Sequence, residues 1–327
     1  MNLKRWRNLS SLAGDALKKI PNSQIAKVNL VLTMRCNHKC LSCLIWKSNE
    51  NKKEELSYSD VSRILEKNPQ MMWVSITGGE PSLALDFPEI LSKCLQRVKL
   101  VNIITNGERP DIIIPSVKKA LESSPENHIL ILHVTLFGKP LIHDKMTGIP
   151  HSYDKAIETM NGLKRLGYEH RLILGIEHMI GENNPFEYQF VQHKANQLNV
   201  GITYTLEQHA DYYNNNVVKP DYKMPNISMT MNPLDQIKNT FLLNGVHKAG
   251  CVAGEYSCWV TPNKMVYPCF FSIPNKPAYN LPENDYVLDK DMFDKTWIKS
   301  CKGCWTPCES YTMLMFRPWR ITRKMRV

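Results

Sequence analysis

Six short apolar runs alternate with longer amphipathic stretches between residues 27 and 208. Such alternation is typical of βα units arranged around a parallel sheet. The predicted strands are 27–34, 72–77, 100–105, 129–136, 171–179 and 200–206. The predicted helices include 59–67, 87–98, 153–167 and 184–198, and Ser59 or Asp60 caps the first of them. We therefore predict an α/β fold built on a partial (β/α)6 TIM-like barrel.

Composition divides the chain into four segments. Residues 1–26 are a basic amphipathic segment, residues 27–208 are the barrel core, and residues 209–232 form an Asn-, Tyr- and Pro-rich linker. Residues 233–327 are predicted to form a small cysteine-rich domain with a basic tail. Within it we expect a helix near 233–244 and a hairpin over 257–269, with its turn at Pro262 and Asn263.

The charge lies at the two ends of the chain. Of the net +10, residues 1–20 carry +4 and residues 310–327 carry +5, which leaves +1 for everything between. No window approaches the ~20 apolar residues of a membrane span, and no secretory signal is visible. We therefore expect a cytoplasmic protein whose basic, apolar-interleaved ends could contact an anionic membrane peripherally. The alternative is that residues 1–20 pack on the barrel and the tail is merely solvated, since short basic ends are common.

Ten cysteines are many for a cytoplasmic protein, and nine of them fall into two groups. The first group is Cys36, Cys40 and Cys43, and the second is Cys251, Cys258, Cys269, Cys301, Cys304 and Cys308. A disulfide scaffold would be shorter, with more evenly spread cysteines, so this grouping indicates metal ligation. The tenth cysteine, Cys94, is predicted to lie in the core.

The first group has the spacing C-x3-C-x2-C and directly follows the first predicted strand, where barrel enzymes build active sites. Three thiolates on a [4Fe–4S] cube leave one iron open, whereas structural zinc requires four protein ligands. The alternative is a zinc knuckle completed by His38 or a distant cysteine.

The cysteine motif, followed after the second strand by Thr77-Gly78-Gly79-Glu80-Pro81, resembles the radical S-adenosylmethionine superfamily. The resemblance implies a [4Fe–4S] cluster whose open iron chelates S-adenosylmethionine. It also implies that Gly78, Gly79 and Glu80 hold the cofactor's ammonium group. Two glycines would allow close backbone approach to the ligand, and the carboxylate would supply a charged acceptor.

Further cofactor contacts follow from the same resemblance. The candidates are Thr105, Asn106, Thr135 and Glu177, although Glu177 could equally be an ordinary strand-end carboxylate. Two departures put individual contacts in doubt. Many relatives have Ser-Leu-Asp at residues 135–137 and an Arg in place of Thr147. The sequence identifies no catalytic residue that quenches or deprotonates a product radical.

The second cysteine group resembles the auxiliary-cluster domains called twitch and SPASM. Six cysteines are too few to ligate two clusters fully, so one auxiliary [4Fe–4S] cluster is expected. Cys251, Cys269 and two of the last three cysteines are the first choice, and Cys258 is either a substitute ligand or a spectator. A zinc ribbon is the alternative.

The resemblance implies an enzyme that reductively cleaves S-adenosylmethionine and abstracts a hydrogen atom, with flavodoxin or ferredoxin as reductant. The expected substrate is lipid or lipid-linked, a sugar or another small molecule. A peptide-modifying SPASM-type maturase is an alternative, although about 26 residues before the barrel is short for a leader-binding domain. A zinc protein that binds nucleic acid without catalysis is the alternative from another class. No RNA-binding module is visible, which disfavours a nucleic-acid partner.

Overall fold

The computed structural model describes residues 14–15, 24–47, 54–207, 251–273, 275–296 and 307–316. Most of the basic N-terminal segment, the linker and the helix expected near 233–244 lie outside these residues. Cys301, Cys304 and the end of the basic tail also lie outside them. The proposed domain boundaries therefore stay predictions.

The six strands predicted from the apolar runs all form. They are β1 (Lys27–Val31), β2 (Trp73–Thr77), β3 (Leu100–Thr105), β4 (Ile129–Thr135), β5 (Leu172–Ile180) and β6 (Gly201–Leu206). Five of them match the prediction within one residue at each end. The first ends three residues early because the chain turns after Val31 into the segment that carries the first cysteine group, here called the cysteine loop (residues 32–47).

These six strands run parallel, and their order in the sheet follows their order in the chain. The predicted hairpin also forms, as β7 (Ser257–Val260) and β8 (Met265–Tyr267), followed by the short β9 (Tyr279–Asn280). Strand β7 pairs in parallel with β1. The described hairpin therefore extends the sheet of the partial barrel.

The α-helices of the described residues lie between and after these strands in the chain. They are α1 (Tyr58–Lys67), α2 (Phe87–Arg97), α3 (Pro110–Glu122), α4 (Pro140–Thr147), α5 (Ser152–Arg165), α6 (Tyr188–Leu198) and α7 (Pro307–Phe316). The cap of α1 is Ser57, two residues before the predicted Ser59, and Asp60 completes a capping box with it. No helix in the described part of the chain is long and apolar enough to cross a membrane.

Helix α7 packs against the end of the barrel where the strands begin. Its Met313 and Phe316 join a buried cluster with the first residues of β2, β3 and β4. Phe316 stacks on Tyr256 with ring centroids 5.2 Å apart. At the same end, the buried Lys27 donates to the Thr312 hydroxyl at 2.8 Å and lies over the Trp73 ring. Phe316 is therefore a core residue, although it lies within the basic segment 310–327 that is expected to contact a membrane or solvent.

Candidate functional site

One cavity opens where the parallel strands end. It is lined by the three thiols Cys36, Cys40 and Cys43, by Gly78, Gly79 and Glu80, and by Thr105, Asn106, Thr135 and Glu177. All the residues that the sequence suggested for the barrel's cofactor site therefore line a single cavity. Active sites of parallel-barrel enzymes lie at this end of the strands.

Helix α4 holds one side of the cysteine loop. The backbone N–H of Lys39 donates to the Thr147 carbonyl at 2.7 Å, and that of Leu41 donates to the Met146 carbonyl at 2.9 Å. Both acceptors lie in the last turn of α4, whose carbonyls have no partner within the helix. The helix end and the loop thus satisfy each other's backbone groups and fix where the thiols stand.

The two glycines after β2 hold the other side of the cysteine loop. A Cβ on Gly78 would lie 2.5 Å from the Thr33 carbonyl oxygen, and one on Gly79 would lie 2.3 Å from that of Arg35. The N–H groups of Gly79 and Glu80 donate to these same two carbonyls, each at 2.8 Å. The close approach that requires glycine is therefore made to the cysteine loop, a structural reason that the sequence alone did not reveal.

Glu80 has a buried carboxylate that ties two loops together. It accepts the Thr105 hydroxyl at 2.8 Å and the Asn106 N–H at 2.8 Å, and it also caps the turn that follows it through the Ser82 N–H at 3.1 Å. The residue is only 1% exposed. Three donors around one buried carboxylate hold its negative charge at the cavity wall.

The three thiols suit an iron–sulfur cluster better than a single ion. Burial raises the pKa of Cys36 to about 12 and that of Cys43 to about 11, and burial and the neighbouring thiols raise the pKa of Cys40. Three neighbouring, partly buried thiolates therefore require bound metal to compensate their charge. No three or more His, Cys, Asp or Glu side chains of the described residues are arranged to hold one ion. In a cube-shaped [4Fe–4S] cluster each thiolate binds a different iron atom, so the three thiolates do not need to converge on one ion.

The proposed zinc ligand His38 is engaged elsewhere. Its Nε2 lies 3.1 Å from the Glu108 carboxylate, and the ring is 2% exposed. Nearby, the Asn106 amide donates to the Asn37 side chain at 2.8 Å. These contacts tie the cysteine loop to the loop after β3.

The far wall of the cavity lies on β4, β5 and β6. Glu177 accepts a short hydrogen bond from the Thr205 hydroxyl, and its other carboxylate oxygen lies 4.0 Å from His133 Nδ1. Burial lowers the pKa of His133 to about 4, which keeps this ring neutral. Thr135 lines the cavity on the neighbouring strand.

Two aromatic residues of the C-terminal hairpin region also line the cavity, and neither is predicted from the sequence as a site residue. Trp259 on β7 and Phe270 just after β8 have ring centroids 5.4 Å apart, and they pack with Ile45 of the cysteine loop. The alternation of the SCWV run places Trp259 on the opposite face from Cys258, and this signal could have identified it. The pairing of β7 with β1, which brings it to the cavity, is not visible locally.

Cys258 lies in a different environment from Cys251 and Cys269. It is completely buried in the main apolar core, which favours the spectator role over that of a substitute ligand. Cys251 and Cys269 are partly exposed, and neither forms a disulfide with another described cysteine. Cys308 lies in the first turn of α7, and its side chain is outside the described residues. The auxiliary site therefore stays a prediction.

Residues 30–185 match the family model described as the radical SAM superfamily. The chain contains a radical SAM domain. The match begins in β1 and ends after β5, so it includes the cysteine loop, the Gly-Gly-Glu turn and Glu177.

Curated relatives are similar to part of this chain. A probable GTP 3',8-cyclase of Methanococcus maripaludis is 29% identical over 140 residues, which are 41% of this chain and 45% of the relative. The mycofactocin maturase MftC of Mycolicibacterium smegmatis is 29% identical over 140 residues, 42% of this chain and 34% of the relative. The chain thus spans less than half the length of these two proteins.

Solved structures support the fold. Streptococcus suis SuiB, in a structure bound to S-adenosylmethionine, has a TM-score of 0.60 at 17% identity. The match covers 82% of this chain and 66% of SuiB. At this identity the likeness concerns the fold alone.

Proposed function

We propose that the chain is a radical SAM enzyme, which reductively cleaves S-adenosylmethionine and abstracts a hydrogen atom from its substrate. The observation that carries the proposal is the single cavity that joins three partly buried thiols to the Glu80 carboxylate. Cys36, Cys40 and Cys43 would hold a [4Fe–4S] cluster. When bound, the cluster supplies one electron to the sulfonium, and the reductant is flavodoxin or ferredoxin.

Each cavity residue has a specific part in this proposal. Glu80, held by three protein donors, presents negative charge to the ammonium group of S-adenosylmethionine. Thr105 and Asn106 orient that carboxylate, and Thr135 and Glu177 line the wall beyond it. The apolar rings of Trp259 and Phe270 exclude water from the reacting atoms.

The residues that line the cavity indicate which substrates it suits. No lysine or arginine of the described residues lines it. A nucleoside triphosphate, the substrate named for the cyclase relatives, would bring several negative charges to a cavity that already contains two carboxylates. We therefore favour a substrate without polyphosphate.

Exposed apolar side chains favour a lipid or lipid-linked substrate. Leu41, Leu141 and Phe186 are 46%, 84% and 76% exposed, and they follow β1, β4 and β5 in the chain, with Leu141 in the first turn of α4. Here they are called the apolar rim. Because all three follow the carboxyl ends of strands, they lie at the same end of the barrel as the cavity. Exposed apolar residues around a site are typical of surfaces that contact lipid or protein. A sugar or another small molecule remains within this proposal.

A peptide substrate is the second candidate. The similarity to MftC, a maturase, favours it, and the apolar rim could equally contact a peptide. An auxiliary [4Fe–4S] cluster on Cys251, Cys269 and two of Cys301, Cys304 and Cys308 would be consistent with either substrate.

The deciding experiment is anaerobic purification followed by analysis of iron, acid-labile sulfide and zinc, then incubation with S-adenosylmethionine and dithionite. We expect iron and sulfide in equal amounts, with release of 5'-deoxyadenosine and methionine. Zinc without sulfide, and no cleavage, would instead support the zinc-binding alternative.

A further inference from the structure

A carboxylate that enters the cavity meets only neutral donors among the described lining residues, because none of them is lysine or arginine. The side-chain N–H groups of the lining belong to His38, Asn106, His143 and Trp259. His38 is engaged with Glu108 and Asn106 with Asn37. Unlike His38 and Asn106, His143 has a buried side-chain nitrogen, Nε2, that makes no hydrogen bond.

The tautomer of His143 follows from one backbone contact. The N–H of Phe137 donates to His143 Nδ1 at 3.1 Å, so a neutral ring carries its proton on Nε2. The residue is 1% exposed, and Nε2 has no hydrogen-bond partner. Burial, with the neighbouring His38, lowers the pKa of His143 to about 3, so the ring is neutral at physiological pH. A buried donor without an acceptor destabilises the protein unless a ligand supplies one.

The position of His143 is fixed beside the cysteine loop. It lies on α4, one turn before the carbonyls of Met146 and Thr147 that hold that loop. Its ring contacts Phe137 and Tyr153, with centroids 5.8 and 6.0 Å away. Backbone and ring contacts thus hold the unpartnered N–H edge in place before any ligand binds.

We infer that the Nε2–H of His143 donates to the carboxylate of the methionine moiety of S-adenosylmethionine. This inference rests on the proposed function. It makes His143 a cofactor-binding residue that supplies a directed neutral donor where the described lining has no cation. Such a donor can orient a carboxylate without adding positive charge next to the cofactor's sulfonium and ammonium groups.

Two substitutions test the roles of the two ring nitrogens, Nδ1 and Nε2, independently. His143→Asn retains an acceptor near the Nδ1 position for the Phe137 N–H and removes the donor at Nε2. His143→Gln places an N–H donor near the Nε2 position and removes the acceptor for Phe137. We expect the Asn variant to bind S-adenosylmethionine about 10- to 100-fold more weakly, and the Gln variant to stay within about threefold of the original protein.

The binding measurement uses the cluster-loaded full chain and two ligands, S-adenosylmethionine and its decarboxylated analogue. Because the analogue lacks the carboxylate, His143→Asn should change its affinity by less than about threefold. Iron content and the thermal midpoint of each variant report on folding.

Three outcomes would overturn the inference. In the first, the Asn variant binds like the original protein while the Gln variant is weakened, which would leave His143 only the role of holding Phe137. In the second, both variants bind like the original. In the third, the two ligands lose affinity equally. Failure of the unaltered, cluster-loaded chain to bind S-adenosylmethionine would instead reject the proposed function itself.

Discussion

The hydroxyl of Thr105 donates to Glu80 Oε1 at 2.8 Å, and this bond joins the loop after β2 to the end of β3 at the cavity wall. Glu80 also receives the N–H of Asn106, so one carboxylate organises both loops. Its role in the proposed function and its role in the fold are therefore linked, and an experiment must distinguish them.

Glu80→Gln should weaken binding of S-adenosylmethionine by roughly 1–3 kcal/mol, because it removes charge from an ammonium contact. The amide oxygen can replace Oε1 as acceptor for the Ser82 N–H and the Thr105 hydroxyl, and only the Asn106 N–H loses its acceptor, so the unfolding free energy should change less. Equilibrium binding and denaturant unfolding measure the two effects. Glu89→Gln on α2, where the carboxylate is 49% exposed, is the matched control. Unaltered cofactor affinity in Glu80→Gln would remove Glu80 from the cofactor site.

Gly79→Ala should prevent cluster assembly while leaving the barrel folded. The new Cβ would lie 2.3 Å from the Arg35 carbonyl oxygen, so the cysteine loop must move away. Iron content after anaerobic reconstitution and the circular dichroism spectrum measure this. The control is Gly201→Ala, whose Cβ would have its nearest atom at 3.7 Å. Equal iron in both variants would show that the close approach does not position the thiols.

The barrel and its motifs could be predicted because their signals are local. Strand β3 was predicted at its observed bounds, and the spacing from Cys36 to Cys43 is read directly from the sequence. The bond from Lys27 to Thr312 spans 285 positions, and no local pattern predicts that α7 returns to the start of the barrel. Helix α3 was not predicted, and the proline at residue 115 inside it weakens the helical signal.

Side-chain roles were harder to predict than positions. The sequence predicts a close backbone approach at the two glycines after β2, and in the structure this approach is to Thr33 and Arg35, more than 40 residues earlier in the chain. The orientation of His143 depends on the backbone N–H of Phe137, and spacing does not specify that bond.

Replacement of Cys36, Cys40 and Cys43 together by alanine should abolish formation of 5'-deoxyadenosine under dithionite. The variant should lose one cluster's iron and sulfide and retain any iron held by the C-terminal cysteines, because the two groups lie in separate parts of the chain. Product analysis and metal content measure this directly. Continued formation of 5'-deoxyadenosine would show that the cluster assignment is wrong.

Cys258→Ala should leave the iron content unchanged and reduce the unfolding free energy by about 1 kcal/mol, because Cys258 packs in the apolar core. Cys251→Ala should instead lower the iron content, because iron is lost from the proposed auxiliary site. Metal analysis and denaturant unfolding of the two variants provide the comparison. If Cys258→Ala lost iron and Cys251→Ala did not, Cys258 would be a ligand of the auxiliary cluster.

The contact with an anionic membrane can be tested by deletion of the basic ends, provided that the deletions spare the fold. Phe316 stacks on Tyr256, and Asp15 pairs with Lys99, so both residues must be kept. Deletion of residues 1–13 and 317–327 removes eight cations and leaves these contacts intact.

Intact protein should co-sediment with vesicles that contain anionic lipid, and the doubly deleted protein should not. Each cation near an anionic surface contributes about 1 kcal/mol, so loss of eight should abolish binding. Binding should also fall as salt rises, because exposed charges are screened. Leu141→Ser combined with Phe186→Ser tests the apolar rim separately, and it should weaken binding while the basic ends remain. Equal recovery of intact and deleted protein with the vesicles would reject the membrane contact and leave the radical chemistry unaffected.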